Sequence, residues 1–214
     1  MKTIYCISGL GADEKVFSRL TIDGYKLEFV NWLIPENNET LQQYALRMSG
    51  QIKESNPILM GLSFGGMIAI EISKFLNVKQ LILISSIKTI DEMPVWMRLA
   101  GKFKLYKIIP LKSYKILTPI QNYFLGVTTA NEKKLANQYR KNVSEVYLNW
   151  SVKQILNWKN TSYSSNTFHI HGSADKIFPI KNIKSIKVIE DAGHFMIYTK
   201  ANAVSKWLYQ ILTN

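Results

Sequence analysis

Five residues in the first third of the chain, Gly61-Leu62-Ser63-Phe64-Gly65, have the types and spacing to do chemistry. A serine between two glycines is exposed as a nucleophile when it sits on a tight turn from a strand into a helix, and the flanks supply that context. The apolar run 58–60 reads as a buried strand. The run that follows Gly66 is apolar for too long to be a second strand, so it predicts a buried helix. Gly61 and Gly65 remove the side chains that would collide where this helix passes over the strand. Such a turn holds the Ser63 hydroxyl above the positive end of the helix. It also aims the backbone N–H of Phe64 at any negative oxygen developing beside the serine.

A serine at its ordinary pKa needs a base to take its proton. The chain has three histidines, His169, His171 and His194. His194 lies in Asp191-Ala192-Gly193-His194-Phe195, just past the end of the sixth expected strand. In a parallel sheet all the strand C-termini open at one edge, where ligands bind, so His194 emerges at the same edge as Ser63. His169 and His171 sit two apart on one face of the fifth strand and read as packed or hydrogen-bonded core residues. The base in turn needs an anion to hold its tautomer and stabilise the imidazolium. Asp175, in His171-Gly172-Ser173-Ala174-Asp175, meets the edge criterion. Asp91, farther beyond its own strand, is the second candidate. Asp191 is too near His194 in sequence to bridge to it and reads as a turn residue.

The elements that must position these residues follow from hydrophobic periodicity. Strands are predicted at 2–8, 25–30, 58–60, 80–86, 167–171 and 185–190. Their continuous apolar character suits a mostly parallel sheet covered on both faces. Thr40-x-x-Gln43 is a capping box that opens an amphipathic helix bearing Leu41, Tyr44, Ala45 and Met48. The helix after Ser63 is expected to reach about Phe75. The first four strands alternate with loop or helix in the βαβ manner, which implies right-handed crossovers. From residue 88 to 141 the pattern breaks into short helical pieces separated by Pro94, Pro110 and Pro119, with no convincing strand. This insertion reads as a helical cap above the strand ends, with an amphipathic membrane-binding lid as the sharper alternative. Within it Val95, Leu99, Phe103 and Tyr106 are spaced to form one apolar stripe on a lysine-rich helix. Val143, Val146, Tyr147 and Trp150 then resume core spacing, and Val204, Trp207, Leu208 and Ile211 share one face of a closing helix at 201–212.

The chain's 214 residues, 47% hydrophobic, fit one domain with a large core. The single cysteine, Cys6, falls mid-strand, which excludes a disulfide framework and argues against a thiol nucleophile. No stretch approaches the roughly 20 apolar residues of a membrane span. The first strand begins almost at once, leaving no room for a signal peptide, so the reading is cytoplasmic, without stable membrane insertion. The net charge is +12, and residues 88–141 carry eleven Lys or Arg against three Asp or Glu. That surplus reads as a lysine-rich solvated face, since charge without a recognition motif is too little for a nucleic-acid module. Gly9-x-Gly11 lacks the third glycine of a dinucleotide fingerprint, with Glu14 in its place. His169-x-His171 with Asp175 finds no further ligand to complete a metal site. No cofactor and no metal are therefore expected.

The chain order Ser63, Asp175, His194, with the glycine loop after the first strand and Gly-His-Phe near the end, resembles the α/β-hydrolase superfamily over the whole chain apart from the insertion. The resemblance implies a three-layer fold trimmed of a leading antiparallel hairpin, with residues 88–141 as the cap. It also implies two oxyanion donors, the N–H groups of Phe64 and Leu10. Many family members carry His-Gly where this chain has Ser8-Gly9, the histidine bracing the loop. The implied activity is a serine hydrolase cleaving a carboxylic ester or thioester of a small molecule. A non-catalytic or weakly catalytic ligand-binding member of the same fold is the other reading. Amidases, lyases and carbon–carbon hydrolases use the same three residues. A monomer or homodimer is expected, with specificity from Trp96, Phe103, Tyr106, Tyr123 and Phe124.

Overall fold

The computed structural model describes residues 1–108 and 114–213, so Pro110 lies outside the described residues. Six strands form one sheet: β1 (Lys2–Ile7), β2 (Tyr25–Phe29), β3 (Ile58–Leu62), β4 (Gln80–Ile84), β5 (Thr167–Gly172) and β6 (Lys187–Ile189). They lie in the order β2-β1-β3-β4-β5-β6. Every pairing is parallel. The register sets Ile7 beside Gly61 and Leu62 beside Ile84, which brings the ends of β1, β3 and β4 level.

Strand side chains alternate between two faces, and here both faces are apolar. Tyr5, Ile7, Leu59, Leu81 and Leu83 pack on one side against α1 (Leu41–Ser49) and α2 (Phe64–Ile72). Ile4, Cys6, Met60, Ile82 and Ile84 pack on the other against α8 (Ala201–Thr213), through Val204, Leu208 and Ile211. Burial on both sides is what continuous rather than alternating apolar strands require. Each fully buried Ile or Leu contributes roughly 1.5–3 kcal/mol relative to exposure. The expected capping box is present, Thr40 accepting from the Gln43 N–H while the Gln43 side chain accepts from the Thr40 N–H.

Among the described residues four α-helices stand between β4 and β5: α3 (Val95–Lys102), α4 (Tyr114–Leu125), α5 (Ala130–Asn142) and α6 (Glu145–Leu156). After β6 come the short α7 (Met196–Thr199) and α8. Several boundaries differ from the sequence reading. α2 ends at Ile72 rather than near Phe75, and β6 is only three residues long. The expected stripe from Val95 to Tyr106 does not lie on one helix. α3 stops at Lys102, and Lys104 turns the chain with a left-handed φ of 54°. Val95, Leu99 and Phe103 are exposed, while Tyr106 follows on a separate 3-10 turn. Val146 is also exposed, whereas Tyr147 is buried and Trp150 packs partly buried against the core.

α3 and α6 meet at Gly101, where an added Cβ would press into the Leu156 carbonyl. Elsewhere in a helix Gly→Ala gains about 1 kcal/mol. Here the overpacking cost of about 1–3 kcal/mol opposes that gain. We expect Gly101→Ala to lower stability by up to about 2 kcal/mol in urea unfolding. A stabilised variant would show that the two helices do not approach this closely.

Candidate active site

The turn at Ser63 is held from every side by backbone. Ser63 has φ 53° and ψ −119°, a region that costs a residue with a side chain roughly 1–3 kcal/mol. Its N–H donates to the Ile84 carbonyl at 2.9 Å, and its carbonyl accepts from Ser86 Oγ at 2.7 Å and the Gly66 N–H at 2.9 Å. The three glycines around it are sterically required. A Cβ on Gly61 would come within 2.5 Å of the Gly65 carbonyl oxygen, and one on Gly65 would collide with the carbonyls of Ile7 and Ser8. A Cβ on Gly66 would strike Ser86. The sequence reading named the first two of these.

The structure brings Ser63, His194 and Asp175 together. Ser63 Oγ lies 2.8 Å from His194 Nε2, and His194 Nδ1 lies 2.8 Å from Asp175 Oδ2. The other carboxylate oxygen accepts the N–H groups of Ile177 at 2.8 Å and Phe178 at 2.9 Å. Burial pushes the Asp175 carboxyl up, but the charge and hydrogen bond of His194, with His171 and the Phe178 N–H, hold it below its usual value. An ionised Asp175 accepts only, so His194 carries its proton on Nδ1 and offers a bare Nε2 to the serine hydroxyl. Asp91 is exposed on a 3-10 turn and has no contact with His194 among those described. Asp191 is exposed with φ 53°, a turn residue.

Behind the acid runs a second polar chain. His171 Nε2 donates to the Phe178 carbonyl at 2.8 Å and lies 3.5 Å from Asp175 Oδ2. His171 Nδ1 meets His169 Nε2 at 3.2 Å, and His169 Nδ1 meets Lys88 Nζ at 3.1 Å. Lys88 also reaches Glu92 at 2.7 Å and the Lys184 carbonyl at 2.6 Å. An ammonium group has three donors and no acceptor, so these three bonds fix every hydrogen in the row. Lys88 gives to His169 Nδ1, His169 gives from Nε2 to His171 Nδ1, and His171 gives from Nε2 to the Phe178 carbonyl. Both histidines are therefore neutral. Burial depresses each of them, reinforced at His169 by the Lys88 charge and opposed at His171 by Asp175. The sequence reading placed the pair in the core as hydrogen-bonded residues, but nothing in it linked them to Lys88 or Glu92.

The Ser8-Gly9-Leu10 loop lies alongside the serine. A methyl on Gly9 would sit 3.6 Å from Ser63 Cβ, ordinary van der Waals contact. Ser8 Oγ donates to the Ala12 carbonyl at 2.6 Å and accepts from Trp32 Nε1 at 2.8 Å, so a serine and a tryptophan brace the loop. Leu10, Phe64, Ser63 and His194 line a cavity of about 530 Å³. Trp96, Tyr106 and Phe124 line it as expected, while Phe103 and Tyr123 stay outside it, 65% and 62% exposed. α6 adds Leu148 and Val152 from beyond the expected limit of the insertion. Arg140 and Gln121 also reach its wall, unforeseen because neither belongs to a motif.

No protein-family model and no curated protein sequence matches the chain. Solved structures do. A thermophilic esterase from Thermogutta terrifontis aligns with a TM-score of 0.78 at 14% identity, over 99% of this chain and 90% of that one. An esterase from Exiguobacterium antarcticum gives 0.75 at 17% identity, over 100% and 92%. A meta-cleavage product hydrolase from Pseudomonas fluorescens gives 0.70 at 16% identity, over 100% and 91%. The chain has the α/β-hydrolase fold. Among the described residues no helix is long and apolar enough to cross a membrane.

The neutral histidines make acid stability a test of the polar chain. Their folded pKa values lie below the ordinary 6.5, so the unfolded chain binds more protons as the pH falls under that value. Their contribution is complete above pH 6.5 and is lost below it, at up to about 1.4 kcal/mol per pH unit for each. Asp175 acts in a separate window, below its ordinary 3.8. We expect urea unfolding of His169→Gln and His171→Gln proteins to show a shallower loss of stability between about pH 6.5 and 5 than the parent. An unchanged slope would mean that both histidines take up protons in the native state.

Proposed function

We propose that the protein is a serine hydrolase that cleaves a carboxylic ester or thioester of a small molecule through an acyl-enzyme. The observation that carries this reading is the unbroken relay from Asp175 through His194 to the Ser63 hydroxyl, both links 2.8 Å, at the wall of a largely apolar cavity. The likeness in fold to proteins described as esterases supports it. Ser63 Oγ attacks the carbonyl carbon while His194 Nε2 takes the hydroxyl proton. Asp175 keeps the imidazole in the attacking tautomer and stabilises the imidazolium that forms. The N–H groups of Phe64 and Leu10 receive the charge on the carbonyl oxygen, a single such donor being worth about 3–4 kcal/mol of barrier. The imidazolium then protonates the departing alcohol or thiol. Water, deprotonated by His194, attacks the acyl-enzyme and releases the acid and free Ser63. Residues 88–141 serve as the cap that covers the reacting groups.

A fluorophosphonate should label the parent protein and leave Ser63→Ala unlabelled. His194→Ala and Asp175→Asn should each lower p-nitrophenyl acetate turnover by about a thousandfold or more while the proteins remain folded. If Asp91→Asn abolishes turnover and Asp175→Asn does not, the acid is misassigned. A labelled Ser63 with no ester turned over would favour the ligand-binding reading instead.

A further inference from the structure

The cavity beside Ser63 has an uneven wall. Most of it is apolar, with Leu62, Met67, Met97, Ile120 and Leu125 among the residues that line it. Among the described residues, the one Lys or Arg in its lining is Arg140, on α5. Its guanidinium is held by two side-chain carbonyls, Asn137 Oδ1 on Nη1 and Asn122 Oδ1 on Nη2, each at 2.6 Å. Among the described residues no carboxylate forms an ion pair with it. Two amide dipoles orient the group but leave its charge uncompensated, and burial depresses its pKa. A guanidinium has five N–H donors, so donors remain for another acceptor.

The same cavity is lined by a second polar side chain, and this one has an atom without a partner. Gln121 precedes Asn122 on α4 and lines the same cavity, and its side-chain carbonyl is buried with no hydrogen-bond donor. A buried polar atom left bare costs about 1–3 kcal/mol. Turned into the cavity, the amide would present its NH2 to an anion there. A planar guanidinium fork and an amide NH2 are complementary to a carboxylate.

Building on the hydrolase reading above, we propose that Arg140 and Gln121 form an anion subsite, and that the substrate is an ester whose acyl chain ends in a free carboxylate: a monoester of a dicarboxylic acid. The apolar wall takes the methylene chain, the polar corner takes the carboxylate, and the ester carbonyl lies at Ser63. The cleavage is that already described, releasing the dicarboxylic acid and the alcohol.

The test is a set of monomethyl esters from succinic to suberic acid, each hydrolysed in parallel with the uncharged methyl alkanoate of equal length. For the best length, kcat/KM should favour the charged ester by about tenfold or more. Arg140→Gln and Gln121→Met should each bring that ratio close to one, a fall of roughly tenfold or more, with Arg140→Lys falling between. Binding is read separately by calorimetry on Ser63→Ala protein, where the charged ester should bind and Arg140→Gln in that background should abolish it. Preference for the uncharged esters, or a ratio untouched by either variant, overturns the proposal. So does binding of inorganic phosphate or coenzyme A in preference to the charged ester. Calorimetric binding of the charged ester that depends on Arg140, with no phosphonate labelling of Ser63, would instead overturn the hydrolase reading and leave the anion subsite standing.

Discussion

The close passage of α2 over the ends of β1 and β3 sets the terms for the rest of the molecule. Gly65 is pressed against the carbonyls of Ile7 and Ser8, and Gly61 against the Gly65 carbonyl, so no side chain is tolerated at either place. Ser63 holds its unfavourable φ with both backbone groups engaged, its N–H by the Ile84 carbonyl at the end of β4 and its carbonyl by the Ser86 hydroxyl just beyond. The parallel sheet is thus more than a platform. Its central pairings β1·β3 and β3·β4 supply the clamps, and the two apolar cores keep those pairings in register.

A second constraint is the direction of hydrogen bonding behind the acid. Lys88 is buried, and a buried ammonium is costly unless it is paired. Glu92 meets that cost locally, and the donor that reaches His169 orients both histidines toward the Phe178 carbonyl. The segment whose N–H groups bind Asp175 is therefore tied down on its carbonyl side as well. Removing His171 would leave the Phe178 carbonyl without the ring N–H it accepts.

Much of this was legible in the sequence, because it rests on local rules. The apolar strand followed by Gly-Leu-Ser-Phe-Gly specifies the turn, and the edge at which parallel strands end separates His194 from the other two histidines. Distance from its strand favours Asp175 over Asp91, and Asp175 is the one within hydrogen-bond distance of His194. What escaped depends on groups far apart in the chain. Lys88 meets His169 across 81 residues, and Arg140 meets Asn122 across 18. Neither pairing has a spacing rule. The stripe from Val95 to Tyr106 is broken for a similar reason: the left-handed turn at Lys104 sits on a residue whose type does not announce it, and the apolar spacing from Phe103 to Tyr106 runs across it.

The aromatic residues near the serine tie distant parts of the chain to one another. The Trp32 ring stacks on Phe64 with centroids 5.5 Å apart and planes within 6°, and its nitrogen holds Ser8. Tyr147 and Trp150 of α6 lean on the same pair, at 5.2 Å from Trp32 and 6.2 Å from Phe64. One indole therefore joins the glycine loop, the residue after the serine and the helix that precedes β5. Any shift of α6 against the sheet would disturb that ring, and the Trp32 fluorescence would report it.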